Sequence, residues 1–196
     1  MKYDRLNDFN GQFSIDYPKG WQFTSLDLMD VQGQWSDFMM STNGWIWAQA
    51  TELQGTGVLN IAPKRSEKGA IYKDGINYGL YARFTGSIDK DDVIIDVIST
   101  PVDYKDVRDD LLSDSMWSDK AVVKCATLKN NTVFSVFSRQ SGSIFEFLCI
   151  CGIGEGKTVT MAAIMDIKSG KYKNTRKLAE YCKHMIDSLQ DSTISK

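Results

Sequence analysis

The feature that most constrains this chain is a series of four strand-like runs separated by very short links. Each run alternates apolar with polar residues or is apolar throughout, which is typical of β-strands. A parallel connection needs a dozen or more residues, so short links indicate antiparallel neighbours. The four runs lie at residues 121–128, 132–140, 143–151 and 157–167.

The same patterns predict further elements along the chain. Residues 12–17 alternate apolar with polar side chains ahead of a Pro-Lys-Gly turn, which predicts a half-buried strand. A helix predicted at 175–189 has one apolar face, formed by Leu178, Cys182, Met185, Ile186 and Leu189. The other predicted elements are strands at 57–62, 76–85 and 93–99 and a helix at 102–117.

These elements together predict an α+β fold. We expect a twisted antiparallel sheet of about six to eight strands with helices packed on it, the C-terminal helix being amphipathic. The length of 196 residues suits a single domain spanning 1–196. A hydrophobic fraction of 42% and a charged fraction of 24% are typical of a globular domain with its own core.

Charge and hydropathy argue against two classes of partner. The net charge of −2 is not that of a nucleic-acid binder, which carries a basic face. The densest basic cluster, at 168–177, is interpreted as the solvated start of a helix, the alternative being a site for phosphate or an acidic partner. No apolar run approaches the roughly 18–20 residues of a membrane-spanning helix. The sequence therefore predicts no nucleic-acid partner and no membrane span.

The cysteines and the N-terminus indicate a reducing compartment. No two cysteines form a Cys-x-x-Cys pair, and Cys149 and Cys151 lie two apart in an apolar run, on one face of a strand. We interpret all four as reduced core residues, with a disulfide or a metal site as the alternatives. The N-terminus has no apolar leader segment, so we predict a cytoplasmic location. The four are Cys125, Cys149, Cys151 and Cys182.

The segment at 151–158, Cys-Gly-Ile-Gly-Glu-Gly-Lys-Thr, is similar to a phosphate-binding loop. That loop reads GxxxxGK[ST] between a strand and a helix, and here Cys151 stands where its first glycine belongs. Too little chain follows to supply the parallel strands of a nucleotide-binding fold. A glycine-rich hairpin turn explains the same residues, and this is our prediction.

No other pattern points to catalysis or metal binding. His184 is the single histidine, which excludes multi-histidine metal sites, and we expect it to face solvent or pack at a helix edge. Two acidic clusters lack the spacing of a calcium loop and are interpreted as a turn and as a helix's polar face. We predict no catalytic residue, no cofactor and no metal site. The acidic residues are Asp89, Asp91, Asp92, Asp103, Asp106, Asp109 and Asp110.

A segment rich in tryptophan and methionine is the predicted partner-binding site. Aromatic residues and methionine are enriched where proteins meet their partners. The alternative is an insertion that covers the core. We expect the partner to be another protein, and the sequence leaves a homodimer open. The residues are Met29, Trp35, Phe38, Met39, Met40, Trp45 and Trp47.

The turn that contains Tyr17, Pro18, Gly20 and Trp21 resembles the opening of PsbP-like domains. This fold family includes the photosystem PsbP proteins, the Ran-binding Mog proteins and adaptor chaperones of type VI secretion. Residues 93–101 and 185–189 are also similar to the family's later strand and final helix. The resemblance implies a binding module rather than an enzyme, with an enlarged segment at about 26–75.

Three functions follow from these observations. The first is a non-catalytic protein-binding module of the adaptor, chaperone or immunity type. The second is a carrier that holds a small molecule or lipid between sheet and helix. The third is an enzyme whose site is assembled from scattered polar residues that no motif identifies. The absence of recognisable chemistry and the Trp/Met-rich segment favour the first.

Overall fold

The structure is a computed structural model, and the fold below concerns the residues it describes. These residues are 2–27, 72–73, 76–77, 80–106, 124–127, 133–154, 156–168, 170 and 173–192.

The described chain forms antiparallel sheets and a C-terminal helix, so the predicted α+β class is confirmed. The helix α1 spans Lys173–Asp187, and residues 104–106 are also helical. The strands are β1 (Tyr3–Phe9), β2 (Phe13–Pro18), β3 (Gln22–Asp27), β4 (Tyr72–Lys73), β5 (Ile76–Asn77), β6 (Leu80–Ile88), β7 (Asp91–Thr100), β8 (Lys124–Thr127), β9 (Val133–Ser141), β10 (Ile144–Gly152), β11 (Thr158–Asp166) and β12 (Gln190–Asp191).

A seven-stranded sheet in the order β3-β6-β7-β11-β10-β9-β8 is the largest unit of the described chain. Its last four strands are consecutive antiparallel neighbours, which confirms the meander predicted from the short links. The turn after β10 returns directly into β11, so the segment at 151–158 is a hairpin and not a phosphate-binding loop. A second sheet has the order β1-β2-β12, and β4 pairs with β5.

The core lies between one face of the large sheet and a layer made of α1 and the β1-β2-β12 sheet. Alternate residues of the strands point into it, as their period of two requires: Val93, Ile95 and Val97 on β7, and Cys149 and Cys151 on β10. β11 is covered on both faces, since every residue from Thr158 to Met165 is buried. One face carries Val159, Met161, Ala163 and Met165, and the buried Thr158 and Thr160 lie on the other.

Helix α1 buries the face that the sequence predicted. Leu178, Cys182, Met185 and Ile186 are buried in the core, and Leu189 follows just beyond the helix. The helix begins and ends two residues earlier than the predicted range of 175–189. Ordinary fraying of helix ends accounts for a difference of this size.

Side-chain contacts fix both ends of α1 to the rest of the fold. At its start, the buried Asn174 donates from Nδ2 to Asp91 Oδ2 at 2.8 Å and to the Ile88 carbonyl at 3.3 Å. At its end, the Asp16 backbone N–H donates to Ser188 Oγ at 2.8 Å. Asp91, predicted to lie in a turn, is instead the first residue of β7 and is buried against the start of the helix.

Several predicted boundaries differ from the structure. β6 extends to Ile88 and β7 begins at Asp91, so the link between these strands is much shorter than the predicted strands at 76–85 and 93–99 imply. β1 and β12 were not predicted at all. The strand at 57–62, most of the helix at 102–117 and most of the enlarged segment at about 26–75 lie outside the described residues.

Trp21 packs flat against the backbone of β6 at Gly86. A Cβ atom on Gly86 would lie 2.5 Å from Trp21 Cε2 and 2.6 Å from its Cγ, too close for any side chain. Gly20, with a φ of 86°, forms the turn that delivers Trp21 to this place. The Trp21 N–H donates to the Pro18 carbonyl at 3.2 Å and closes the turn.

We expect Gly86→Ala to lower the free energy of unfolding by about 1–3 kcal/mol, because the indole must move. In a Trp21→Ala background the same change should cost far less, since the clash is gone. Urea unfolding followed by circular dichroism measures both, with exposed Ser87→Ala as the matched control, expected to stay within about 0.5 kcal/mol of wild type. Equal costs of Gly86→Ala in the two backgrounds would contradict this packing.

Candidate protein-binding surface

The predicted partner-binding residues fall in the segment that follows β3. Met29, Trp35, Phe38, Met39, Met40, Trp45 and Trp47 all lie outside the described residues. Their role stays a prediction. The described part of the chain contains a different surface with related chemistry.

Four rings from distant parts of the chain meet at the surface and form what we call the aromatic strip: Tyr3, Trp21, Tyr181 and His184. Tyr3 stacks on His184 with ring centroids 3.6 Å apart and an interplanar angle of 15°. The edge of Tyr181 meets Tyr3 at 6.4 Å, and Trp21 lies 5.7 Å from Tyr181. Each ring is half-buried, so each presents part of its surface to solvent.

Secondary structure explains why these rings converge. Tyr181 and His184 are three positions apart on α1 and therefore share one face of the helix. β1 supplies Tyr3 beside that face, and the turn after β2 supplies Trp21. The prediction that His184 packs at a helix edge is confirmed.

A network of polar contacts borders the aromatic strip. Arg5 donates from Nη1 to Asp16 Oδ1 and from Nη2 to Gln190 Oε1, both at 2.6 Å. His184 Nε2 lies 3.3 Å from Asp16 Oδ2. Asp16 thus joins β1, β2 and α1, and Arg5 is held in place although it is exposed.

The environment of Tyr3 keeps its hydroxyl neutral. Burial raises the pKa of Tyr3, and the neighbouring Tyr181, Glu180 and Asp16 raise it further. The strip therefore offers a phenol that can donate and accept hydrogen bonds, rather than a phenolate. Such amphipathic rings suit a surface that is covered in one state and wet in another.

A second polar cluster lies on the other face of the large sheet. Arg83 on β6 donates to both carboxylate oxygens of Asp96 on β7, from Nε and Nη2, each at 2.7 Å. The two residues are direct partners in the register. The Arg83 guanidinium also lies 5.8 Å from the ring centroid of the buried Tyr81.

Burial dominates the electrostatics of this cluster. Burial raises the pKa of Asp96 despite the opposing effect of Arg83. Burial and then Asp96 raise the pKa of Tyr81. Shifted groups of this kind also occur at active sites, but here both Asp96 oxygens are occupied by Arg83. We interpret the pair as structural.

The cysteines of the described chain are buried and not disulfide-bonded. Cys149 and Cys151 lie on one strand face, as predicted, with their sulfur atoms 3.7 Å apart, and Cys182 is also in the core. Burial raises the pKa of both Cys149 and Cys182. These thiols are therefore poor nucleophiles at neutral pH. The side chain of Cys125 lies outside the description.

Lys157, the lysine of the loop that is similar to a phosphate site, is engaged within the fold. It donates to Asp191 Oδ1 at 2.5 Å and to the Gln12 carbonyl at 2.8 Å, and it is buried. Its ammonium group thus ties the hairpin after β10 to β12 and to the chain before β2. The cation that would neutralise a phosphate is already paired with a carboxylate.

Two searches of the described residues gave negative results. They contain no group of three or more histidine, cysteine or acidic side chains placed to hold a metal ion. No helix within the described ranges is long and apolar enough to cross a membrane.

Two comparisons with known proteins return no match. No protein-family model matches the sequence, and a search of curated proteins finds none that matches. The resemblance to PsbP-like domains therefore stays a prediction.

Arg83→Met should make stability depend more steeply on pH. The pKa of Asp96 is already raised in the folded state, and without Arg83 it rises further. The folded chain then keeps a proton that the unfolded chain releases, so stability falls as pH rises from about 4 toward neutrality, by up to about 1.4 kcal/mol per pH unit.

Urea unfolding at a series of pH values measures this slope. Adding Asp96→Asn to Arg83→Met should abolish the extra pH dependence, because the titrating group is gone. If the free energy of unfolding has the same pH dependence in wild type and Arg83→Met, the pKa of Asp96 does not depend on Arg83.

Proposed function

We propose that this chain is a non-catalytic protein-binding module of the adaptor, chaperone or immunity type. The observation that carries the proposal is the aromatic strip with its polar border. Tyrosine, tryptophan and arginine are the residues that most often dominate binding energy at protein interfaces. Here they form one continuous, half-exposed surface that the fold holds in place.

The geometry supports binding because the surface is already ordered. Tyr3 is stacked on His184, and Arg5 has hydrogen bonds to two side chains. A partner that docks here does not have to immobilise these side chains, which would otherwise cost about 0.5–1.5 kcal/mol each. The apolar ring faces supply contact area, while the charged groups of Arg5 and Asp16 orient the partner on the surface.

The Trp/Met-rich segment remains part of the proposal. The chain enters this segment from β3, the strand that begins directly after Trp21 of the aromatic strip. The resemblance of the Tyr-Pro-Lys-Gly-Trp turn to PsbP-like binding modules adds support of the same kind. It does not identify the partner.

Affinity capture with quantitative mass spectrometry tests the proposal. The immobilised domain should recover a reproducible protein partner. Tyr181→Ala should weaken binding by roughly 30-fold or more, because loss of an interface anchor costs about 2 kcal/mol. Arg5→Ala, which removes an exposed residue and not a core contact, should weaken it in the same direction.

Lys183→Ala is the matched control, since Lys183 is exposed on the same helix outside the aromatic strip. Its binding should stay within about twofold of wild type. The pair Trp35→Ala and Phe38→Ala tests the second surface. Circular dichroism confirms that each variant is folded. No reproducible partner, or a partner indifferent to all of these changes, would overturn the proposal.

A further inference from the structure

β3 is an exposed edge of the large sheet. It pairs in unbroken register with β6, and among the described residues it has no other strand neighbour. Gln22, Phe23, Thr24 and Ser25 are all exposed. Phe23, at 38%, is the exposed large hydrophobic residue of the described chain. An edge of this kind presents a row of backbone donors and acceptors to any other strand.

The outer strands β1 and β3 of the two sheets differ in their charge and in the regularity of their pairing. β1, the edge of the small sheet, carries Asp4, Arg5 and Asp8 and has a register shift between Leu6 and Phe9. Charges and bulges are the usual devices that prevent an edge from pairing. β3 has no bulge, since its pairing with β6 is regular, and its one charged residue is Asp27 at its last position. Residues 22–26 contain no charge and no proline.

We propose that β3 pairs antiparallel with β3 of a second copy of this chain, about a two-fold axis at Thr24. The exposed edge can pair with the same edge of a second copy, because this pairing brings no charged residues opposite one another. The two large sheets then continue into one another across the axis. Pairing of β3 with its copy is independent of partner binding at the aromatic strip.

Geometry restricts the register. Successive residues of a strand direct their backbone N–H and C=O groups to opposite sides. Across the axis, a residue can therefore lie opposite only itself or a residue an even number of positions away in the sequence. The axis therefore lies at a residue and not between two. Axes at Phe23, Thr24 and Ser25 satisfy this condition near the middle of the strand.

Length and chemistry select Thr24 from these three. With the axis at Phe23, only residues 22–24 of the two β3 strands are paired with each other. An axis at Ser25 brings the acidic Asp27 opposite Phe23. An axis at Thr24 pairs residues 22–26, places Phe23 opposite Ser25 and sets the two Thr24 residues together, and a Thr–Thr pair is a favourable cross-strand contact.

Sedimentation over a wide concentration series tests the association. Wild type should convert from monomer to dimer as concentration rises. Thr24→Lys should weaken the dimer by about tenfold or more, because two like charges meet at the axis. Asn7→Lys, the same kind of change at an exposed position of β1, should leave it unaltered. Wild type that stays monomeric, or a dimer equally stable in Thr24→Lys, overturns the proposal.

Cross-linking tests the register. With the axis at Thr24, the two Cα atoms of residue 24 lie about 4.5–5.5 Å apart, within the range of a disulfide. Those of residue 22 are about 14 Å apart, because they are offset by four residues along the strands as well as separated between them. Under mild oxidation Thr24→Cys should form a covalent dimer far faster than Gln22→Cys, with wild type as the background for the native cysteines. Equal rates for the two variants overturn the register.

Discussion

The packing of α1 against the large sheet is the interaction on which the other features depend. Its buried side chains, Leu178, Met185 and Ile186 among them, belong to the core, and the helix contacts β2, β6, β10 and β11. Each contributes about 1.5–3 kcal/mol relative to an exposed position. Asn174 fixes the start of the helix beneath the β6–β7 turn, and Ser188 fixes its end to β2. With the helix so placed, Tyr181 and His184 meet Tyr3, and β12 reaches β2.

Much of the large sheet could be predicted from the sequence because its signals are local. The short links at 129–131 and 141–142 require hairpins, and the spacing of Leu178, Cys182 and Met185 requires a helix. β1 gave no such signal, since Asp4, Arg5 and Asp8 make it the polar edge that it turns out to be. β12 has two residues, too few for any pattern to show.

The aromatic strip could not be predicted, for a different reason. Its four rings come from β1, the turn after β2 and α1, and no local pattern connects residue 3 with residue 184. The Pro-Lys-Gly turn was predicted just before Trp21, but no local pattern indicates which residues Trp21 contacts. The same holds for the partner of Lys157: the hairpin that contains it was predicted, but no local pattern pointed to Asp191. Contacts between distant segments form the candidate surface, and a single sequence does not contain them.

The β1-β2-β12 sheet has a kinetic consequence. Its two outer strands are β1 and β12, so it can close only after the residues between them have been synthesised. Contacts of such long sequence separation form late, because the entropy of closing the intervening loop must be overcome first. On a chain emerging from the ribosome, the aromatic strip therefore cannot form until α1 has left the ribosome. The surface that we propose for partner recognition therefore forms only late in folding.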